Sequence, residues 1–200
     1  DLVVTGVQTC ALPICKMLIE YSVERFLKNK NINEIIIVTQ KNYIETIKDM
    51  FKTCIIVEGG KTRQKSSFIG LKACSKLTKN VLIHDAARPF ISDKIINDCI
   101  KELKNNLCVC PALPCTDTIA EIQSDHINKV LNRNILYKLQ TPQSFDYKVL
   151  YDCHLKIKES YTDDMAIVQT YGYKCKIIEG SKKNIKVTYE KDIKYLNLLI

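Results

Sequence analysis

Ten consecutive residues, Val81-Leu82-Ile83-His84-Asp85-Ala86-Ala87-Arg88-Pro89-Phe90, concentrate more potential chemistry than any other stretch of this chain. The apolar triplet reads as a buried strand; it stops at His84-Asp85, and Pro89 blocks any continuation. A carboxylate and a guanidinium therefore sit three residues apart where a strand ends, which in open α/β sheets is where ligands bind. Asp85 has the chemistry to hold a metal or order a hydroxyl, and the planar fork of Arg88 suits phosphate oxygens. An Asp–Arg pair that merely ties a loop fits the same ten residues.

Four further clusters lie where strands are expected to end. Gly59-Gly60-Lys61-Thr62-Arg63 closes one strand and opens a helix. Two glycines permit close backbone approach, and a helix N-terminus flanked by Lys61 and Arg63 favours an anion or a base edge; a plain turn explains it as well. Asp117-Thr118 follows two prolines and also reads as a turn with an Asp bonding its own backbone. In Tyr161-Thr162-Asp163-Asp164, either Thr162 or Asp163 makes a good helix N-cap. In Gly180-Ser181-Lys182-Lys183-Asn184-Ile185-Lys186-Val187-Thr188, Lys186 alternates with Ile185 and Val187 on an expected short strand, a position where Lys is commonly solvated.

The elements that must position these residues alternate. Helical apolar spacing marks residues 17–29, 42–51, 62–77 (with Phe68, Leu71, Cys74 and Leu77 inward), 93–103, 146–158, 163–171 and 190–199. Strands are expected at 34–39, 54–57, 81–83, 107–112, 174–179 and 184–188. The β-α-β-α-β order with continuous apolar strands predicts a parallel sheet covered on both faces. Between Pro111 and Pro142 the pattern breaks into short polar–apolar pieces that read as a β-hairpin arm, over about 114–140. Residues 1–15 (DLVVTGVQTCALPIC) have no period and resemble a cloning scar joined to a genuine reading frame near Lys16; Val3-Val4 could pair only fortuitously, as an edge strand.

Two hundred residues suffice for one domain with a sizeable core. The formal net charge of +8 favours anionic partners. The Lys residues form no tract, and neither zinc-finger spacing nor an aromatic-interleaved basic stripe occurs, so small phosphorylated molecules fit better than nucleic acid. No apolar run reaches membrane length and no secretory signal is read, giving the expectation of a cytoplasmic protein. The ten Cys fall mostly inside apolar runs, as in Cys108-Val109-Cys110, and are expected as reduced core thiols with no metal bound.

The clusters gain specificity from their order. HDAARPF, then PxxDTI, NRxxLYxxQTPQxF, TDDMxxV and EGxxxNIKVT, with spacing retained from about Lys16 to Ile200, resemble the 2-C-methyl-D-erythritol 4-phosphate cytidylyltransferases of non-mevalonate isoprenoid synthesis. The resemblance implies a Rossmann-like nucleotidyltransferase fold: α/β, a mostly parallel sheet with helices on both faces, and a protruding β-arm that builds a homodimer. It implies transfer of CMP from CTP to a polyol phosphate with release of pyrophosphate, helped by Mg²⁺. By matching motif, Asp85 and Lys186 would carry the catalytic roles. Gly59, Gly60 and Ser66, with Asp85, would face the nucleotide. Arg88, Thr118, Arg133, Thr162 and Lys186 would hold the substrate, Thr118 and Arg133 reaching into the partner's site. Asp85 is the one candidate metal contact, and His84 is expected to orient the turn rather than transfer a proton. Within the same fold a ribitol 5-phosphate cytidylyltransferase is the alternative, and outside it a non-catalytic dimerising remnant.

The resemblance breaks at the start. The family opens with a strand, AAGxGxRM and a later PKQ, whose glycines let backbone N–H groups wrap a triphosphate while Arg and Lys offset charge on the leaving pyrophosphate. Here Gly6 is the only glycine before Gly59, and no Arg precedes Arg25. Weak CTP binding and slow turnover are the expectation for this polypeptide.

Overall fold

The computed structural model describes residues 2–5, 17–189 and 191–193, the first four by backbone alone. Apolar β-branched runs form the interior strands. β1 (Leu2–Thr5), β2 (Ile35–Thr39), β3 (Ile55–Glu58), β4 (Asn80–Asp85), β5 (Cys108–Pro114) and β10 (Lys176–Glu179) share one direction. β9 (Gln143–Asp146) inserts antiparallel between β4 and β5, giving the order β10-β5-β9-β4-β1-β2-β3, with the short β8 (Tyr137–Leu139) antiparallel on β5. The sheet is thus mostly parallel, as the α/β alternation predicts, with one internal reversal.

Side chains leave a strand alternately to its two faces, and the core divides accordingly. Ile35 and Ile37 join Leu82 on the face covered by α1 (Leu18–Leu27), α2 (Ile44–Met50) and α4 (Asp93–Glu102), with Phe26, Ile47 and Ile96 fully buried there. Ile36 and Val38 join Val81 and Ile83 on the other face, under α3 (Arg63–Ala73), α5 (Tyr147–Lys156) and α6 (Asp164–Thr170). The same alternation sends His84 to the α1 side, where its ring meets Phe26 edge-on at 5.2 Å, and Asp85 to the α3–α6 side.

Several expectations are corrected. Leu2–Thr5 occupy not an edge but the slot between β2 and β4, in parallel register with both; an apolar β-branched run suits a strand buried on both faces. Residues 1 and 6–16 of that opening segment lie outside the described residues. Helix α3 ends at Ala73, where Cys74 turns extended, so Leu77 is 87% exposed rather than inward. No strand forms over 184–188, because that backbone bonds to side chains and to a neighbouring turn instead of a ladder. Only 191–193 of the final expected helix are described, as helix.

The arm is the hairpin of β6 (Ala120–Gln123) and β7 (His126–Val130), turning through Ser124 and Asp125, both at positive φ. The eight described cysteines are all unpaired; Cys10 and Cys15 lie outside the described residues. No helix among the described residues is long and apolar enough to cross a membrane.

Candidate active site

Asp85 is the last residue of β4, and the parallel sheet brings other strand ends level with it: Thr5 is its register partner on β1. Three cations reach its carboxylate from three separate stretches. Lys186 Nζ lies 3.0 Å from Oδ2, Arg63 Nε 3.8 Å from Oδ1, and Arg88 Nε 4.0 Å from Oδ2. Burial alone would raise the pKa of Asp85, but Lys186 and then Arg63 outweigh it and hold the carboxyl below its ordinary range. Arg88 is largely buried, which lowers its pKa against the pull of Asp85, and its Nη1 donates to the Asn184 carbonyl at 2.8 Å.

Arg63 is shared. Its Nη1 donates to Asp164 Oδ2 at 2.6 Å, and Asp164, fully buried, also accepts from Ser67 Oγ at 2.9 Å and pairs with His154 Nε2 at 2.9 Å. Burial works against ionisation of Asp164, yet Arg63 and the His154 bond keep its pKa lowered. Asp163 also acts on Arg63, so three cations meet three carboxylates here, and Arg63, Arg88 and Lys186 are the groups at the strand ends that can engage phosphate oxygens.

The loops around this corner are built from the motifs read in the sequence. Thr62 caps α3, its Oγ1 accepting from Lys65 N at 3.1 Å, which fixes Arg63 in the first turn. Gly59 N bonds the Thr39 carbonyl at 2.7 Å and Gly60 N bonds Ser66 Oγ at 3.1 Å. A Cβ on Gly60 would fall 2.5 Å from Lys65 Cβ, so this loop lies against the helix only as glycine. The loop carrying Lys186 is fastened from below: Gln140 Nε2 donates to the Ser181 and Asn184 carbonyls, Asn184 Nδ2 donates to the Thr141 carbonyl at 2.8 Å, and Val187 N bonds the Ala87 carbonyl at 2.8 Å.

The structure therefore gathers Asp85, Arg88 and Lys186 into one cluster and sets Gly59, Gly60 and Ser66 at the end of β3, with β1 and β2 between it and β4. Asp163, not Thr162, caps α6; Thr162 is exposed just ahead of it, two residues from Asp164. Thr118 and Arg133 stand apart on the arm, both exposed, with Arg133 Nη1 donating to the Thr116 carbonyl at 3.2 Å. The sequence reading named Arg63 only as a helix-end cation and Asp164 only as part of a capping motif. Their pairing across 101 residues left no local signal. Among the described residues no group of three or more His, Cys, Asp or Glu could hold a metal. A lone ionised carboxylate does suit Mg²⁺, which takes few protein ligands and fills its remaining positions with water and substrate phosphates.

A mostly parallel α/β sheet carries this charged cluster at its strand ends, and the comparisons give the class, an enzyme of the nucleotidyltransferases. Residues 13–200 match the 2-C-methyl-D-erythritol 4-phosphate cytidylyltransferase (IspD) family, to which the chain belongs. The 2-C-methyl-D-erythritol 4-phosphate cytidylyltransferase of Thermosipho africanus is 39% identical over 188 residues, covering 89% of this chain and 83% of the relative. The bifunctional enzyme IspD/IspF of Pelagibacter ubique is 39% identical over 186 residues, 92% of this chain; the chain spans 50% of that longer protein. In the crystal structure of 4-diphosphocytidyl-2C-methyl-D-erythritol synthase from Anaerococcus prevotii the fold superposes with a TM-score of 0.90 at 30% identity, covering 99% of this chain and 94% of that one.

Proposed function

We propose that the chain transfers CMP from CTP to 2-C-methyl-D-erythritol 4-phosphate and releases pyrophosphate. The carrying observation is the single carboxylate Asp85 held among Lys186, Arg63 and Arg88 at the strand ends, in a chain whose relatives bear that name. The reaction asks the protein for positioning and charge neutralisation more than for covalent chemistry. Gly59, Gly60 and Ser66 receive the cytidine side. Arg88, Thr162 and Lys186 hold the polyol phosphate so that a phosphate oxygen attacks the α-phosphorus in line. Arg63, paired to both Asp85 and Asp164, joins them. Asp85 would hold Mg²⁺, which would supply positive charge to offset that of the nucleotide phosphates.

The arm belongs to the same proposal. Thr118 and Arg133 serve the site of a second copy, in a homodimer formed through β6 and β7, in the cytoplasm. Residues 6–16 stand where relatives carry the triphosphate loop, between a strand that ends level with Asp85 and α1, and this stretch holds one glycine and no Arg. We read residues 1–15 as foreign to the natural protein, against the central pairing of Leu2–Thr5 and a family match that begins at residue 13; the DNA upstream of the Lys16 codon in an independent clone tests that. Loss of one oxyanion-type donor costs about 10²–10³ in rate, so slow turnover is expected.

The deciding measurement is pyrophosphate release by the purified 200-residue chain with CTP, Mg²⁺ and a panel of polyol phosphates. Slow product from the methylerythritol compound is the expected result. Near-normal turnover would overturn the impairment, and preference for ribitol 5-phosphate would replace the substrate. A stable dimer that neither binds CTP–Mg²⁺ nor makes product would make the chain a dimerising module instead.

A further inference from the structure

His84 bonds none of the three cationic side chains at Asp85, yet it is fully buried, and its two ring nitrogens are both engaged. Nδ1 lies 3.0 Å from Thr141 Oγ1, and Nε2 lies 3.0 Å from the Arg88 carbonyl. The Asp85 backbone N–H donates to the same Thr141 hydroxyl at 3.1 Å, and Arg88 N closes the turn on the Asp85 carbonyl at 2.9 Å.

A backbone N–H only donates, so Thr141 Oγ1 accepts from Asp85; with a second lone pair it could still accept from or donate to His84 Nδ1. A carbonyl only accepts, so a ring proton sits on Nε2 and points at Arg88. The ring is fully buried with no carboxylate bonded to it, where a charge is costly, so it carries that one proton. Nδ1 is then bare and the Thr141 hydroxyl donates to it. With no proton on Nε2 the Arg88 carbonyl would lose its donor. Buried polar groups left in that state cost more than the bond itself contributes.

We propose that His84 is a positioning residue: as the neutral Nε2–H tautomer it locks the Asp85–Arg88 turn to Thr141, and so sets where the carboxylate and guanidinium stand relative to each other. The Phe26 ring, edge-on at 5.2 Å, holds the imidazole plane from the α1 side. The turn is thereby braced from beneath, while its upper face stays available to ligand. The ligand consequence rests on the cytidylyltransferase reading; the proton arrangement does not.

The test uses the full chain labelled with ¹⁵N-histidine at pH 7.5. Two-bond ¹H–¹⁵N spectra should show His84 as one tautomer, with Nε2 protonated and Nδ1 hydrogen-bonded. Thr141→Val should move the Nδ1 signal to that of an unbonded nitrogen, and Thr141→Ser should restore it. His84→Phe keeps the ring volume but deletes both bonds and leaves the Thr141 hydroxyl in place. It should weaken binding of both 2-C-methyl-D-erythritol 4-phosphate and CTP–Mg²⁺ about ten-fold, the worth of one directional bond, because Arg88 and Asp85 are held by the same turn. Near-ultraviolet circular dichroism verifies that each variant is folded. The Nδ1–H tautomer, an imidazolium, or a Val variant with an unmoved signal would overturn the proposal. So would a folded His84→Phe variant whose ligand affinity is intact. Should the wild-type chain show the expected tautomer but bind no polyol phosphate, it is the cytidylyltransferase reading that falls, and the spectra still decide the proton arrangement.

Discussion

The strand-edge corner and the arm hold similar residues under opposite conditions. At the corner, Asp85, Arg88, Arg63 and Asp164 are buried or mostly so, and each is cross-bonded to a different element. On the arm, Thr118, Arg133 and the whole of β7 are exposed, and large apolar side chains stand in water: Ile127 is 68% exposed and Ile135 75%. The corner's ion pairs all lie within one chain, and their geometry is carried by its own packing. The arm orders a hairpin without burying these apolar side chains, and the proposed dimer is what would cover them.

The strongest way to break the comparison is to unpair the corner's deepest charge. Asp164→Ala leaves Arg63 and His154 facing a buried void, and removing one partner of such a set costs about 3–5 kcal/mol. Urea unfolding should show it; a loss under about 1 kcal/mol would mean the network is solvated after all. The wild-type chain gives the matching pH result. The folded pKa of Asp164 lies below its ordinary 3.8, so the unfolded chain binds the proton first. The stabilisation is present above that value and is lost as pH falls through the lowered folded pKa. Asp164→Asn should flatten that acid limb.

Next in size is the chemistry. Lys186 Nζ is the nearest cation to Asp85, on a loop fixed by Gln140 and Asn184. Lys186→Ala should lower CMP transfer about 10²–10³-fold while leaving thermal unfolding nearly unchanged, because this side chain is 44% exposed. A variant that unfolds early would show that Lys186 serves the fold rather than the phosphates. Smaller again is Gly60→Ala. The added methyl meets Lys65 Cβ at 2.5 Å, and forcing the loop off α3 costs about 1–3 kcal/mol. Nucleotide affinity should fall with it, whereas Gly172→Ala, at positive φ but in open space on the far side of α6, should cost stability alone.

Much of the corner was legible because it rests on local signals. An apolar triplet ending at His84-Asp85 gives β4, and Gly59-Gly60 gives the turn that opens α3. What escaped has a physical reason in each case. β9 reads Gln143-Ser144-Phe145-Asp146, too polar for an interior strand, yet three of its four residues are buried; Gln143 Nε2 is bonded to the Asp163 carboxylate across the face. The stretch around Lys186 alternates like a strand but is held by side chains instead. Arg63 and Asp164 meet only through the fold. The central seat of Leu2–Thr5 was obscured by the residues that follow it, not by its own composition, which is that of a buried strand.

The arm yields the smallest effect on stability and the sharpest contrast. Ile127→Ser replaces a side chain that buries little within its own chain, so the unfolding midpoint should stay within about 0.5 kcal/mol of wild type. In a dimer held by apolar contact across two hairpins, the same side chain is lost once from each copy. Its removal should then weaken self-association by more than it weakens the fold, and sedimentation at falling protein concentration should show the variant dissociating first. The two readouts must separate for the comparison to hold. A midpoint lowered by about 2 kcal/mol would place Ile127 in the chain's own core. An unchanged midpoint with unchanged sedimentation would leave the exposed face of the arm without a partner in its own kind, and Thr118 and Arg133 without a site to serve.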